Sequence, residues 1–425
     1  MRTQFLIRTA ALDLVSLVGS FFVASLVVFD RLVPWLARPD IFPLLWFLMI
    51  GLAAGSYVSA RTWGNGAPRP SYGRAFYIGV NIVAVTSLLL VIFREAYFSR
   101  GFVAATAVAW SVAAFGHRAF SRSRRWTERM VIVTQEKGLA DDLRVAPTAD
   151  VVIALDPASS APQSPIPEGA ILVLDLRSVL SDEMAQFVSS SNIAGYQVRA
   201  LSNVYEEHTG RMAIVHLAEG WELSAPVSRN RGYEPVKRVA EVVATLGTAP
   251  LWLILAGIIW VAVRIDSPGP ALYHQERVGL MGKPFTLHKF RTMVNNADVQ
   301  GPRFARPDDA RLTRVGRVLR RFRIDEIPQL WNVIRGDLSL VGPRPEQVGF
   351  VNDFERSIPF YGYRHLIRPG VTGWAQVNYG YADDEADTVE KLTYDLYYVK
   401  HMSPWLDLGI LGQSIWTVIS GFGAR

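Results

Sequence analysis

The sequence predicts three structural parts: a membrane α-helical bundle, a small α/β unit of Rossmann-like type, and an α-rich domain carrying a re-entrant membrane helix. Three observations predict it. Four apolar segments crowd the first 120 residues, short apolar runs alternate with polar stretches over the next hundred, and one long apolar stretch near residue 250 is interrupted by proline. The corresponding divisions are residues 1–120, 121–225 and 226–425.

A chain of 425 residues is too long for one compact core. Half of its residues are hydrophobic and twelve are tryptophan, which fits a membrane protein with sizeable soluble parts. The formal charge of +6 suits anionic lipid or phosphate ligands. No nucleic-acid recognition motif accompanies that charge, so no nucleic acid is expected among the partners. The absence of cysteine excludes disulfide frameworks, thiolate metal sites and cysteine nucleophiles.

The four apolar segments are Ala10–Phe29, Ile41–Ser59, Ala75–Phe93 and Gly101–Phe120. Each approaches the ~20 residues needed to cross the hydrocarbon layer, and the fourth is the least apolar. Arg2 and Arg8 precede the first; Arg61, Arg69 and Arg74 separate the second and third; Arg118, Arg122, Arg124, Arg125 and Arg129 follow the fourth. The other loops are poorer in basic residues, so the positive-inside bias places both ends of the bundle in the cytoplasm. Asp13 falls near the start of the first span, where pairing with Arg8 or snorkelling to the interface is the ordinary expectation.

Met130–Thr134, Val151–Leu155, Ala170–Asp175 and Gln197–Leu201 read as short strands of a parallel α/β unit. The first turn holds Gln135-Glu136-Lys137-Gly138 in place of the glycine fingerprint that a dinucleotide requires, so no NAD is expected. Asp156–Glu168 reads as a loop.

Lys237-Arg238 opens the next apolar stretch, which runs to Val263 with Pro250 in its middle. A proline there removes a helical hydrogen bond and kinks the axis. Basic residues flank both sides: Arg229, Arg231, Lys237 and Arg238 before, then Arg264, Arg277 and Lys283 after. A helix that enters, bends at Pro250 and returns keeps both groups on one side of the membrane.

The chemistry-bearing stretch lies between Arg320 and Pro345. Leu312, Val315, Leu319 and Phe322 make an apolar stripe with arginines mostly off it, and Ile327, Leu330, Trp331 and Ile334 fall on one face of a second helix. Asp325 and Glu326 sit between them, at or just before a helix N-terminus that favours anions. Pro328 suits the first helical turn, and Gly342-Pro343-Arg344-Pro345 is a stiff loop able to fix one guanidinium. Carboxylates among arginines point to polyanion chemistry, because guanidinium forks match phosphate oxygens and keep a neighbouring carboxylate ionised. A helix cap inside a solvated charge cluster is the simpler alternative.

Several motifs decide between these readings. Ser267-Pro268-Gly269-Pro270, Gln275-Glu276-Arg277-Val278-Gly279 and Lys289-Phe290-Arg291-Thr292-Met293 follow the kinked helix in order. Asp325-Glu326-Ile327-Pro328-Gln329-Leu330, Gly342-Pro343-Arg344-Pro345, Arg368-Pro369-Gly370-Val371-Thr372-Gly373 and Asp395-Leu396-Tyr397-Tyr398-Val399 come next. From Lys237 onward the chain resembles the bacterial sugar transferases, the monotopic phosphoglycosyl transferases that load polyprenyl phosphate. With its N-terminal spans and middle unit it resembles the large form of that family. It departs from the usual pattern at Ala249, where serine is common before the kink proline, and at Glu241, where aspartate is usual.

The resemblance implies transfer of a phosphosugar from a UDP-sugar to polyprenyl phosphate at the bacterial inner membrane. It implies a covalent enzyme intermediate, Mg²⁺ as cofactor, membrane lipid as surroundings and a homodimer. By position, Asp325 would be the nucleophile and, with Glu326, a metal ligand. Lys289, Arg291, Arg320, Arg344 and Asp395 would bind substrate, with Pro250 as the membrane kink. Among the remaining charged groups, His274 and His288 are taken as structural, and Ala382–Asp387 as a solvated loop. The stretch from Trp405 to Phe422 is amphipathic and is expected to lie on the membrane surface. A glycosyltransferase releasing UDP and a catalytically silent scaffold are the competing functions.

Overall fold

The computed structural model describes residues 2–62, 71–93, 99–123, 127–162, 165–215, 232–294, 311–379 and 385–420. It divides into two compact units. The first comprises Met1–Met130, Pro147–Val152 and Ser164–Ile171; the second comprises Val131–Ala146, Ile153–Gln163 and Leu172–Arg425.

The first unit is dominated by α1 (Arg2–Phe29), a short α2 (Pro34–Ala37), α3 (Phe42–Thr62), α4 (Tyr72–Ile92) and α5 (Arg100–Ser123). Ser71 caps α4 by accepting a hydrogen bond from the Arg74 amide. Phe21, Leu48, Ile82, Phe102 and Trp110 form a shared core. Helices Ile7–Leu36, Pro39–Ser59 and Tyr72–Ile92 are each long and apolar enough to cross a membrane. Helix α5 completes the bundle with a more mixed surface, burying Trp110, Ala114 and Arg118.

Asp13 is not paired with Arg8 as the sequence spacing suggested. Arg118 donates from both terminal nitrogens to the Asp13 carboxylate at 2.7 Å, and the His117 ring lies 2.9 Å away. The partners are more than a hundred residues apart in sequence, beyond the reach of local spacing. A carboxylate buried to this degree requires such a partner.

The next strands are β1 (Glu128–Val133), β2 (Ala149–Leu155), β3 (Ile171–Leu174) and β4 (Val198–Ala200), in the sheet order β2-β1-β3-β4. Helices α6 (Lys137–Val145), α7 (Asp182–Ile193) and α8 (Leu201–Thr209) alternate with them. The pairing of β3 with β4 is parallel, as the short apolar runs implied. Each expected strand lies within about two residues of its position. No helix or strand interrupts the described part of Asp156–Glu168.

Two helices then meet at Thr248: α9 (Tyr233–Gly247) and α10 (Ala249–Asp266), with Pro250 in the first turn of the second. Helix α10 is also long and apolar enough to cross a membrane. Both helices rest on the same C-terminal framework. Lys237 of α9 is ion-paired to Asp407, while Ile259 and Val263 of α10 pack with Phe290 and Leu319.

That framework contains an antiparallel hairpin, β5 (Leu272–Val278) with β6 (Pro284–Phe290), and a short parallel pair, β7 (Ser339–Val341) with β8 (Gly370–Thr372). Neither was evident in the sequence, because the strands carry polar residues or span only three positions. Around them lie α11 (Arg314–Arg321), α12 (Gln329–Arg335), α13 (Val348–Ser357), α14 (Trp374–Asn378), α15 (Glu385–His401) and α16 (Pro404–Ser420).

Helix α12 reverses the expected amphipathic order. Gln329, Asn332 and Val333 are buried, and Trp331 is exposed. Asn332 explains the reversal: its amide donates to the Thr286 carbonyl and accepts from the His288 N–H, joining the helix to β6. A buried amide with both ends satisfied is tolerated, whereas an unpaired one is costly.

Candidate active site

The acidic pair occupies a single 3-10 turn, Ile324–Glu326, between α11 and α12. Arg323, just before it, adopts the left-handed conformation at φ 53°, which reverses the chain sharply. Helix α12 has only seven residues, so it offers little dipole to the carboxylates. Side-chain cations take that part instead.

Two cations come from opposite sides. Lys289 lies on β6, opposite Tyr273 in the hairpin register. Arg344 lies in the loop after β7 and donates to the Glu326 carboxylate at 2.9 Å. That loop is built by close backbone approach. Gly342 donates to the Thr372 carbonyl, and Gly370 donates to the Pro343 carbonyl. A side chain on Gly370 would place its Cβ 2.1 Å from the Gly342 nitrogen, so both glycines are required by space.

Arg320 is the third cation. It lies in the last turn of α11, and its Nε donates to the Thr292 hydroxyl at 2.9 Å. The helix is capped by Thr313 and pressed against the backbone beyond β6. A Cβ on Gly316 would lie 2.0 Å from the Thr292 carbonyl oxygen. This glycine sets how close Arg320 comes to the acids.

Electrostatics separates the two carboxylates. Burial pushes Asp325 up to about 6, with the adjacent Glu326 charge adding to the rise and Lys289, Arg320 and Arg344 opposing it. Burial also acts on Glu326, but Arg344, Lys289 and Arg323 together hold it below the usual range. Lys289 is pulled down to about 8, by burial first and then by the Arg344 charge. Glu326 is therefore a fixed anion, and Asp325 is the group that titrates near neutrality.

Arg291 and Asp395 are placed differently. Arg291 is buried and donates to the Ser267 hydroxyl and to the Ser267 and Pro268 carbonyls, fixing the turn that follows α10. Asp395 is 1 % exposed and faces Arg364 at 2.7 Å. Pro250 stands at the helix junction described above, remote in role from the acids. His274 and His288 face each other across the hairpin at 2.8 Å, on strand positions alternate to Lys289. The Ala382–Asp387 stretch lies largely outside the described residues.

The structure adds residues to which the sequence assigned no role. Arg277 donates to the Pro345 carbonyl and faces Glu346 at 3.6 Å; Lys391 faces Glu346 at 2.9 Å. Burial opposes ionisation of Glu346, but Lys391, Arg364 and Arg277 hold it down at about 2. No local pattern joins these positions, which lie as far as 114 residues apart (391 − 277). Among the described residues no group of three or more His, Asp or Glu side chains is arranged to hold a metal ion. The two adjacent acids nonetheless suit a hard dication that keeps several waters and takes its other ligands from substrate phosphate.

Residues 232–421 match the family model described as bacterial sugar transferase. The UDP-N-acetylgalactosamine-undecaprenyl-phosphate N-acetylgalactosaminephosphotransferase of Aeromonas hydrophila is 44% identical over 258 residues, which is 60% of this chain and 60% of that protein. The UDP-glucose:undecaprenyl-phosphate glucose-1-phosphate transferase of Xanthomonas campestris pv. campestris is 37% identical over 219 residues, covering 50% of this chain and 43% of that protein. An enzyme of the same description from Caulobacter vibrioides is 43% identical over 183 residues, 42% of this chain and 68% of that protein. The chain thus spans about half the length of the first two relatives and more than two thirds of the third. It belongs to the bacterial sugar transferase family.

Proposed function

We propose that this chain transfers a sugar 1-phosphate from a UDP-sugar to a polyprenyl phosphate, by way of a phosphosugar held on Asp325. The observation that carries the reading is the difference between the two acids: Glu326 is clamped by Arg344, while no described residue donates a side-chain hydrogen bond to Asp325. A buried, unclamped carboxylate beside Lys289 and Arg320 suits a nucleophile toward a phosphoryl group.

In the first step an Asp325 oxygen bonds to the β-phosphorus and the bond from that phosphorus to the bridging oxygen breaks. UMP leaves with that oxygen, and an acyl phosphate bearing the sugar remains. In the second step an oxygen of polyprenyl phosphate attacks the same phosphorus, the bond from that phosphorus to the Asp325 oxygen breaks to restore the carboxylate, and a polyprenyl diphosphate-sugar leaves. No proton needs to move at either attacking group, since both are already anions. Lys289, Arg320 and Arg344 offset the charge on the phosphoryl oxygens. Mg²⁺, bound by Asp325 and Glu326, would screen the diphosphate and stabilise the departing UMP.

The names of the relatives point to UDP-N-acetylgalactosamine and UDP-glucose as the first donors to test. The product would start a surface or exported glycan. Both arms of the α9–α10 pair rest on one framework, which supports a re-entrant helix; basic residues on both flanks of that pair accord with an inner-membrane enzyme whose catalytic domain faces the cytoplasm. The sheet order supports a Rossmann-like middle domain.

The test is to incubate purified protein with each UDP-sugar and Mg²⁺ but no acceptor. An intact-mass increase equal to one phosphosugar, with one equivalent of UMP, is expected for wild type and absent in Asp325→Asn. Release of UDP, or of UMP only when acceptor is present, would refute the covalent route.

A further inference from the structure

Arg364 lies in the 3-10 segment Tyr361–Leu366, outside every motif that marked the site, and is 4 % exposed. Its Nη2 donates to the main-chain carbonyl of Arg344 at 2.9 Å and lies 2.7 Å from the Asp395 carboxylate. Its Nη1 donates to the Tyr361 hydroxyl at 2.6 Å, and the guanidinium carbon lies 5.1 Å from the centre of that ring. One buried side chain thus joins α15, through Asp395, to the residue whose own guanidinium holds Glu326.

We propose that Arg364 is a positioning residue for the transfer reaction: anchored by Asp395 and Tyr361, it fixes the Arg344 peptide and thereby the pose of the Arg344 guanidinium against Glu326. This rests on the proposed function, and it gives Asp395 a supporting role in place of a substrate contact.

Two physical arguments favour it. A buried ion pair contributes little net stability relative to an apolar substitute, so the effect of this pair is assigned to orientation. The loop from Pro343 to Glu346 has each carbonyl engaged, by Gly370 N, Arg364, Arg277 and Val278 N in turn. The Arg344 carbonyl, on the residue that holds Glu326, is taken by a guanidinium that lies 2.7 Å from the buried Asp395 carboxylate. Rotation of that peptide would swing Arg344 away from Glu326, and displacements of about 1 Å can cost on the order of 100-fold in rate.

The full-length protein is compared with Arg364→Met, Asp395→Asn and Tyr361→Phe. For Arg364→Met, kcat for UMP release should fall at least tenfold, with KM for the UDP-sugar changed less than twofold. Asp395→Asn keeps one carbonyl acceptor for Arg364 and should lose less than Asp395→Ala. Arg364→Met combined with Asp395→Ala should be no slower than Arg364→Met alone. Hydrogen exchange gives a readout independent of activity: amides from Gly342 to Gln347 should exchange faster in Arg364→Met, while those of β1 should not change. If wild type releases no UMP from any donor, the functional reading fails, and exchange at 342–347 still decides the positioning role. Unchanged exchange in that loop overturns the proposal, as does a kcat loss that follows only the folded fraction. Should Arg364→Met not fold, Asp395→Asn and Tyr361→Phe are read by the same two measurements, with the same outcomes deciding.

Discussion

The Arg344 guanidinium lies 2.9 Å from the Glu326 carboxylate, while Asp325, one residue earlier, has no such clamp among the described residues. Adjacent acids would otherwise repel each other and share their protons. Here one is held as an anion, and the other is pushed toward neutrality by burial and by its neighbour. Paired groups driven apart in this way divide the labour at an active site.

That division sets the pH profile. Asp325 must be ionised to attack, so the rate should rise with pH and reach half its limit at about 6. Lys289 is cationic only below about 8, so the rate should fall above that value. A bell with its plateau between about 6 and 8 is expected for kcat/KM of UMP release. Lys289→Arg should flatten the alkaline limb, and full activity at pH 4.5 would contradict the role of Asp325.

Asp325→Asn should abolish turnover and raise stability. The folded pKa of Asp325 is raised from 3.8 to about 6, so folding favours its neutral form. The penalty for keeping it charged is absent below about pH 4, grows between 4 and 6, and is complete above 6. At one pKa unit per 1.36 kcal/mol, removing that charge is worth up to about 3 kcal/mol at pH 7. Denaturant melts at pH 7 and pH 4 test the sign: the gain should vanish at the lower pH.

Glu326→Gln keeps shape but loses the anion that Arg344 and Mg²⁺ would share. Half-saturation by Mg²⁺ should rise about tenfold, a change of ~1.4 kcal/mol, with partial recovery at high Mg²⁺. Chelation by EDTA should stop UMP release in wild type and be reversed by added Mg²⁺. Insensitivity to EDTA would remove the metal from the mechanism.

Gly316→Ala tests how the backbone places Arg320. Its Cβ would sit 2.0 Å from the Thr292 carbonyl oxygen, so α11 must move away from β6. A loss of about 1–3 kcal/mol in stability is expected, together with reduced kcat. Unchanged melting and activity would mean that the contact relaxes freely.

These predictions draw unevenly on what the sequence made visible. Asp325, Glu326, Arg344, Lys289 and Arg320 were legible because the motifs are local, and the fold brings them to one turn. Arg291 carries the same motif signature yet faces Ser267, since neighbouring strand and loop positions point to different surroundings. Arg364, Glu346 and Lys391 gave no signal, because their pairing depends on tertiary contacts across long separations. Three of the four expected N-terminal spans are long and apolar enough to cross a membrane; the fourth, Gly101–Phe120, folds as α5 but does not reach that apolarity among the described residues. The β5–β6 hairpin was not legible, because Tyr-His-Gln-Glu-Arg in its first strand resembles a polar loop.

The last prediction concerns the membrane path of α9 and α10. Lys237 is buried in α9 between Glu241 at 2.9 Å and Asp407 at 2.6 Å, and Arg238 caps the end of α12 by donating to the Val333 and Ile334 carbonyls. Beyond the junction, Ile259 and Val263 of α10 pack against the hairpin and α11. A straight span would carry one arm about 30 Å from the other across the hydrocarbon layer, and these contacts with one framework would be lost. The helix should therefore return to the side it left. Because the chain has no cysteine, single cysteines at Gly232 and Lys283 can be labelled without background in intact and permeabilised cells. Both should react only after permeabilisation. Labelling of Lys283→Cys from outside, with Gly232→Cys protected, would establish a full span and overturn the cytoplasmic placement of the acids.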